Sequence, residues 1–123
     1  MKTVKIEKGM LYLKFDKETL ENLKNQFDLI INVKEDIEFW YARDLQEKLG
    51  YKHWESFLDV IKRAMNACEN SGFVLEDHFR RVPKMVKLGS GAERSIDDYM
   101  LTRYACYLIA QNGDSKSVVY AYK

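Results

Sequence analysis

Proline and glycine are scarce: the 123 residues contain one proline, Pro83, and six glycines. That scarcity excludes collagen-like and Pro/Gly-rich disordered compositions. There are only two cysteines, Cys68 and Cys106, and neither has a second thiol two or three residues away. The chain therefore lacks the spacing of a zinc knuckle or a redox pair, and free thiols fit a reducing cytoplasm, the expected location. Long hydrophobic runs are also missing. The longest, such as Leu29 to Ile31, fall far below the roughly 20 residues needed to span a bilayer, and Met1-Lys2-Thr3-Val4 is no secretory opening, so no membrane partner is expected. Charge of one sign is absent overall, with 20 Lys and Arg against 19 Asp and Glu.

What remains is an ordinary globular composition, 46% hydrophobic and 13% aromatic. A chain of this length encloses one modest core, so a single small soluble α+β domain is expected. Val4 to Phe15 alternates loosely, and Lys8-Gly9 offers a turn between two short strands. Asp16 can cap a helix carrying Leu20, Leu23 and Phe27 at helical spacing, which ends near Asp28. Val33-Lys34-Glu35-Asp36 follows as a polar connector. Ile37 to Tyr41 reads as a strand, and Ala42 to Leu49 as a short helix stopped by Gly50.

The strongest periodic signal runs from Trp54 through Phe57, Leu58, Ile61, Ala64, Met65 and Cys68, four turns of a helix ending near Gly72. Together these two helices form a helix-turn-helix-like pair. Phe79 to Leu88 and Arg94 to Leu101 read as a β-hairpin joined by a Gly89-Ser90-Gly91 loop, with Pro83 requiring an edge position or a bulge. Thr102 can cap a last helix over Arg103 to Asn112 that buries Ala105, Leu108 and Ile109. A further helix over 115–123 would be too short to hold by itself. The expected layout is an N-terminal strand and helix extension over 1–36, the main domain over 37–114 and a truncated tail over 115–123.

No catalytic constellation stands out. His53 and His78 lack partners at metal-ligand spacing, no nucleophile motif occurs, and Gly89-Ser90-Gly91 is too short to cradle a phosphate. Asp97-Asp98 would point to opposite faces of a strand and so could not share a metal easily. Neither a cofactor nor a metal is expected.

Basic charge, by contrast, is concentrated. Between His78 and Arg94 lie Arg80, Arg81, Lys84, Lys87 and Arg94 against the single acid Glu93. A hairpin with a cationic face suits phosphate contacts, because charge neutralisation and counterion release supply most non-specific affinity for DNA. The alternative is a solvated edge strand kept from aggregating by its Lys and Arg. Lys52, Lys62 and Arg63, at the start and outer face of the long helix, are secondary contacts.

Phe39-Trp40-Tyr41-Ala42-Arg43-Asp44-Leu45-Gln46, Leu49-Gly50-Tyr51, Trp54, Ala67 to Gly72, His78-Phe79, Leu88 to Ala92 and Arg103 to Asp114 together resemble the BRO N-terminal domain family. That family is found in viral and phage proteins, and the resemblance extends to bacterial DNA-damage-inducible members. It implies a non-catalytic α+β DNA-binding module tied to the damage (SOS) response or to phage-type regulation. Double- or single-stranded DNA is the expected partner, with repair or regulatory proteins as the alternative partners and a homo-oligomer left open. Tyr41 stands where the family usually has a serine, which removes a side-chain cap and leaves open what starts the short helix. Such proteins also continue well beyond the Asn-Gly-Asp motif.

Overall fold

The computed structural model describes residues 16–113 and, before them, two short paired strands, β1 (Val4–Ile6) and β2 (Leu11–Leu13). Their antiparallel pairing is the expected N-terminal hairpin; its Lys8-Gly9 turn, Phe15 and the segment 115–123 lie outside the described residues. Helix α1 (Lys17–Asp28) starts where the Asp16 carboxylate accepts the Thr19 N–H at 2.7 Å, satisfying one of the unpaired donors of its first turn. Its 3–4 spacing buries Leu23 and Phe27 completely.

The polar run 33–36 is not a connector. Strand β3 (Asn32–Lys34) pairs antiparallel with β4 (Ile37–Tyr41), and the two residues between them, Glu35 and Asp36, hold φ of 53° and 65°. Two consecutive left-handed residues make a type I′ turn, whose twist matches that of the flanking strands. The hairpin thus runs across the boundary drawn at residue 36.

Helices α2 (Ala42–Lys48) and α3 (Trp54–Asn70) follow the expected limits closely, separated by Gly50 at φ 80°. A single helical turn, α4 (Leu75–His78), leads into β5 (Phe79–Lys87), which pairs over its whole length with β6 (Glu93–Leu101). Helix α5 (Arg103–Asn112) is capped by Thr102, whose hydroxyl accepts the Ala105 N–H at 3.2 Å. Every residue of α5 from Tyr104 to Ala110 is buried, so this helix lies inside the molecule and not on its surface.

The antiparallel sheet has the order β3-β4-β6-β5. β5 is therefore an edge strand, and Pro83 finds the edge position that its missing N–H requires. β4 meets β6 only at Trp40 opposite Leu101 and Tyr41 opposite Met100. Beyond that contact β5 and β6 continue alone as a two-stranded ribbon, nine residue pairs long in all, or roughly 26 Å. At its tip the Leu88 N–H donates to the Ala92 carbonyl at 2.7 Å and the Gly91 N–H to the Leu88 carbonyl at 2.9 Å, with Gly91 left-handed at φ 88°. This is a short hairpin loop closed by a left-handed residue.

Trp40 ties the layers together. Its ring is fully buried, its indole N–H donates to the Phe27 carbonyl at 2.8 Å, and the Arg103 guanidinium lies 4.9 Å over the ring. Arg103 also pairs with Glu38 at 2.9 Å and Asp28 at 3.4 Å, joining α5 to β4 and α1. Among the described residues no helix is long and apolar enough to cross a membrane.

Three outcomes follow from this framework. Trp40→Phe strands the Phe27 carbonyl and empties part of a packed site, and should lower unfolding free energy by about 2 kcal/mol in urea denaturation. Gly91→Ala forces an alanine to positive φ and should cost about 1 kcal/mol, although no atom blocks its Cβ. Gly89→Ala, where the space is equally open and φ is not positive, should stay within about 0.5 kcal/mol.

Candidate nucleic-acid interface

The register of the ribbon decides where each cation points. Residues directly opposite one another share a face, and successive residues alternate. Arg80, Lys84 and Arg94 fall on one face, opposite Met100, Ile96 and Val86 respectively. Arg81 and Lys87 fall on the other, opposite Tyr99 and Glu93. The five cations expected to act together therefore do not form one continuous patch.

The two faces also differ in balance. On the second face Arg81 donates to the Asp97 carboxylate at 2.8 Å, both side chains being more than half exposed, and Lys87 stands across from Glu93. Two cations there meet two carboxylates. On the first face Arg80, Lys84 and Arg94 are exposed and make no ion pair among the described residues. Their row spans roughly 20 Å of strand, with Arg80 and Lys84 about 13 Å apart.

That first face carries one carboxylate, and it is inward. Asp98 is 2% exposed, and its Oδ1 accepts two backbone N–H groups, from Arg43 at 3.0 Å and from Tyr99 at 2.8 Å. Arg43 belongs to the first turn of α2, whose own N-cap residue, Tyr41, supplies no side-chain acceptor. Asp98 thus caps α2 from across the sheet and answers what starts that helix in place of a serine. The Arg43 side chain completes the clamp: its Nε donates to the Asp97 carbonyl at 2.9 Å and its guanidinium stacks 4.0 Å over Trp54 of α3. Burial pushes the Asp98 carboxyl above its ordinary value, while the two amide bonds pull the other way.

A cleft of about 170 Å³ opens between the base of the ribbon and α2, lined by Tyr41, Asp44, Pro83, Lys84 and Asp98. Sequence reasoning missed it. Alternation correctly separated Asp97 from Asp98, but no local pattern announces that a strand aspartate 55 residues away caps a helix.

Lys52 is exposed in the link between α2 and α3, and Lys62 and Arg63 are exposed on the outer side of α3, whose inner side buries Phe57, Val60, Ile61 and Ala64. Of the aromatic residues suited to stacking on bases, Trp40, Tyr104 and Tyr107 belong to the core, and Trp54 is covered by Arg43. Tyr41 stays half-buried beside Phe39, ring centres 5.4 Å apart. The His78 Nδ1 lies 2.7 Å from the Thr102 hydroxyl, between Phe73 and Tyr104, a packing position. Among the described residues no group of three His, Cys, Asp or Glu side chains is placed to hold a metal ion.

The model of the BRO family N-terminal domain matches residues 28–121. The chain belongs to that family. Over 84 residues this BRO N-terminal domain is also 50% identical to the DNA damage-inducible protein D of Escherichia coli (strain K12), an alignment covering 68% of this chain and 31% of that protein. The chain thus spans about a third of the curated relative it matches. No solved structure matches it significantly. The family match takes in β3, β4, both helices of the pair, the ribbon and α5, and so includes both the cation row and the Asp98 clamp.

Two substitutions test the clamp in this BRO N-terminal domain. Asp98→Ala leaves the Arg43 and Tyr99 amides without their acceptor and should cost about 1–3 kcal/mol. Asp98→Asn keeps the Oδ1 acceptor and removes the titration. Because the folded pKa is raised, the native protein binds the proton longer than the unfolded chain, so Asp98's contribution is full below 3.8 and falls as pH rises through the folded value. Urea melts at increasing pH should show the Asp98→Asn variant gaining on wild type over that window; a pH-independent gap contradicts the burial argument.

Proposed function

We propose that the chain is a non-catalytic DNA-binding module of a DNA-damage-related regulatory protein, and that the β5–β6 ribbon is its phosphate-contacting element. The observation carrying this reading is the row Arg80, Lys84 and Arg94, exposed on one ribbon face and unpaired among the described residues. A two-stranded ribbon can enter the major groove or lie along a single strand, and unpaired guanidinium and ammonium groups release counterions from either. Lys87 and Arg81 sit on the balanced face and contribute less, Arg81 because breaking its ion pair offsets what a phosphate would supply. Lys52, Lys62 and Arg63 are auxiliary phosphate contacts. The name of the 50% identical relative and the family of the domain both support a role in the damage response, in the cytoplasm where the DNA lies.

If three phosphates are neutralised, the slope of log affinity against log salt should be roughly −3 for duplex DNA. Fluorescence anisotropy with single- and double-stranded oligonucleotides at two salt concentrations measures it. Changing Arg80, Lys84 and Arg94 together to Ala should flatten the slope towards zero, whereas Arg81→Ala should change it by less than about one unit. Binding unaltered in the triple variant removes the proposal.

A second reading, a protein-interaction module without DNA contact, is favoured by a groove between β4 and α4 that Arg80 borders. Its lining joins the apolar Ile37, Phe39 and Met100 to Glu76, Asp77 and Arg80, a mixed chemistry that suits an apolar-anchored protein segment. Ile37 is 66% exposed there. Ile37→Asp should abolish nuclease-resistant co-purification of such a partner and leave the oligonucleotide salt slope within about one unit of wild type.

A further inference from the structure

From the cleft at the base of the ribbon we infer a second level of recognition: it receives one unstacked, amino-bearing nucleobase, such as cytosine, from a strand held along the cation row. This deepens the DNA-binding reading and rests on it.

Three observations meet at that place. The first is an unused acceptor. Asp98 is 2% exposed and lines the cleft, and both of its backbone hydrogen bonds end on Oδ1. No described residue donates to Oδ2. An oxygen that lines a polar cleft with its lone pairs open can take an N–H donor from a ligand.

The second is shape. A cavity of about 150 Å³ holds one benzene ring, and the cleft offers about 170 Å³. One six-membered base fits that space, and the cleft is open to solvent on one side. Tyr41 supplies a ring surface on the wall, and stacking on an aromatic side chain stabilises a bound base by roughly 1–3 kcal/mol.

The third is position. By register Asp98 and Lys84 lie on the same ribbon face as Arg80 and Arg94, so the cleft opens within the cation row and not behind it. Lys84 lines the cleft and can meet the phosphate of the nucleotide whose base enters it. Asp44, exposed at the start of α2, adds a second acceptor beside Asp98.

The chemistry of the lining then selects the base. An aspartate accepts from the exocyclic N4 amino group of cytosine, whereas thymine presents a carbonyl at that position and would set oxygen against oxygen. Drawing a base out of a duplex costs a few kcal/mol, and least where it is already unpaired. The cleft therefore favours single-stranded or mispaired DNA over a perfect duplex.

The test is a competition of base identity against charge. Anisotropy titrations of the full chain with oligo-dC and oligo-dT of equal length should give about tenfold tighter binding of oligo-dC, with the same salt slope for both. In Asp98→Asn the Oδ1 acceptor for Arg43 and Tyr99 is kept, and an amide donor replaces Oδ2. The preference should disappear or turn towards oligo-dT, with the salt slope unchanged. If circular dichroism shows that this variant does not fold, Asp44→Asn carries the test, and its dC preference should fall severalfold.

Equal affinity for oligo-dC and oligo-dT in the wild type, with salt dependence intact, overturns the cleft and leaves the ribbon standing. A preference that survives undiminished in folded Asp98→Asn, or in Asp44→Asn where that variant carries the test, overturns it too. Deoxycytidine monophosphate binding as tightly as oligo-dC would assign the cleft to a free nucleotide and reject a strand as its occupant. No binding of any oligonucleotide at low salt rejects the DNA reading itself.

Discussion

The burial of Trp40 is the constraint on which the other contacts depend. A fully buried indole must find a partner for its N–H, and the acceptor is the carbonyl of Phe27 in the last turn of α1. That single bond fixes α1 against β4, and the Leu101 pairing of the same residue fixes β4 against β6. Arg103 then closes the outer side of the ring, held by Glu38 and Asp28, so that a guanidinium, an indole and two carboxylates join α1, β4 and α5. The side-chain hydrogen bond of Arg103 holds Glu38 below its usual range, and that of Lys24 does the same for Asp28. Both carboxylates are therefore stabilising when ionised and lose that contribution as pH falls, though at 40–46% exposure solvent screening keeps it small.

Much of the fold is written locally. Asp16 and Thr102 announce their helices because a capping side chain acts within three residues, and the stripe from Trp54 to Cys68 is legible because α3 lies on the core with one side wet. The α5 stripe understates its helix: three buried positions are visible by spacing, whereas a central helix buries its whole circumference. β3 escaped because three residues, none of them buried, carry no alternation to detect, and its turn uses Glu35 and Asp36 where a type I′ turn usually shows Asn or Gly. α4 is a single turn, below the length at which periodicity exists.

The site was legible in its charge and not in its geometry. A count of cations between residues 78 and 94 finds the ribbon, yet Arg80 and Arg81 are neighbours in sequence and so face opposite ways. The count also stops before Asp97, whose carboxylate lies beside Arg81 only once the hairpin has folded. Net charge along a strand is thus a poor guide to the field on either of its faces. Asp98 is less visible still, because its role as a helix cap is created by the register of β6 and has no counterpart in the sequence around it.

The position of that cap has a mechanical consequence. Because Asp98 and the Asp97 carbonyl both hold Arg43, and Arg43 in turn lies on Trp54, the ribbon is bolted at its root to α2 and through it to α3. A load applied near the tip is then passed down a stiff arm to the helix pair, with Arg43 as the fulcrum.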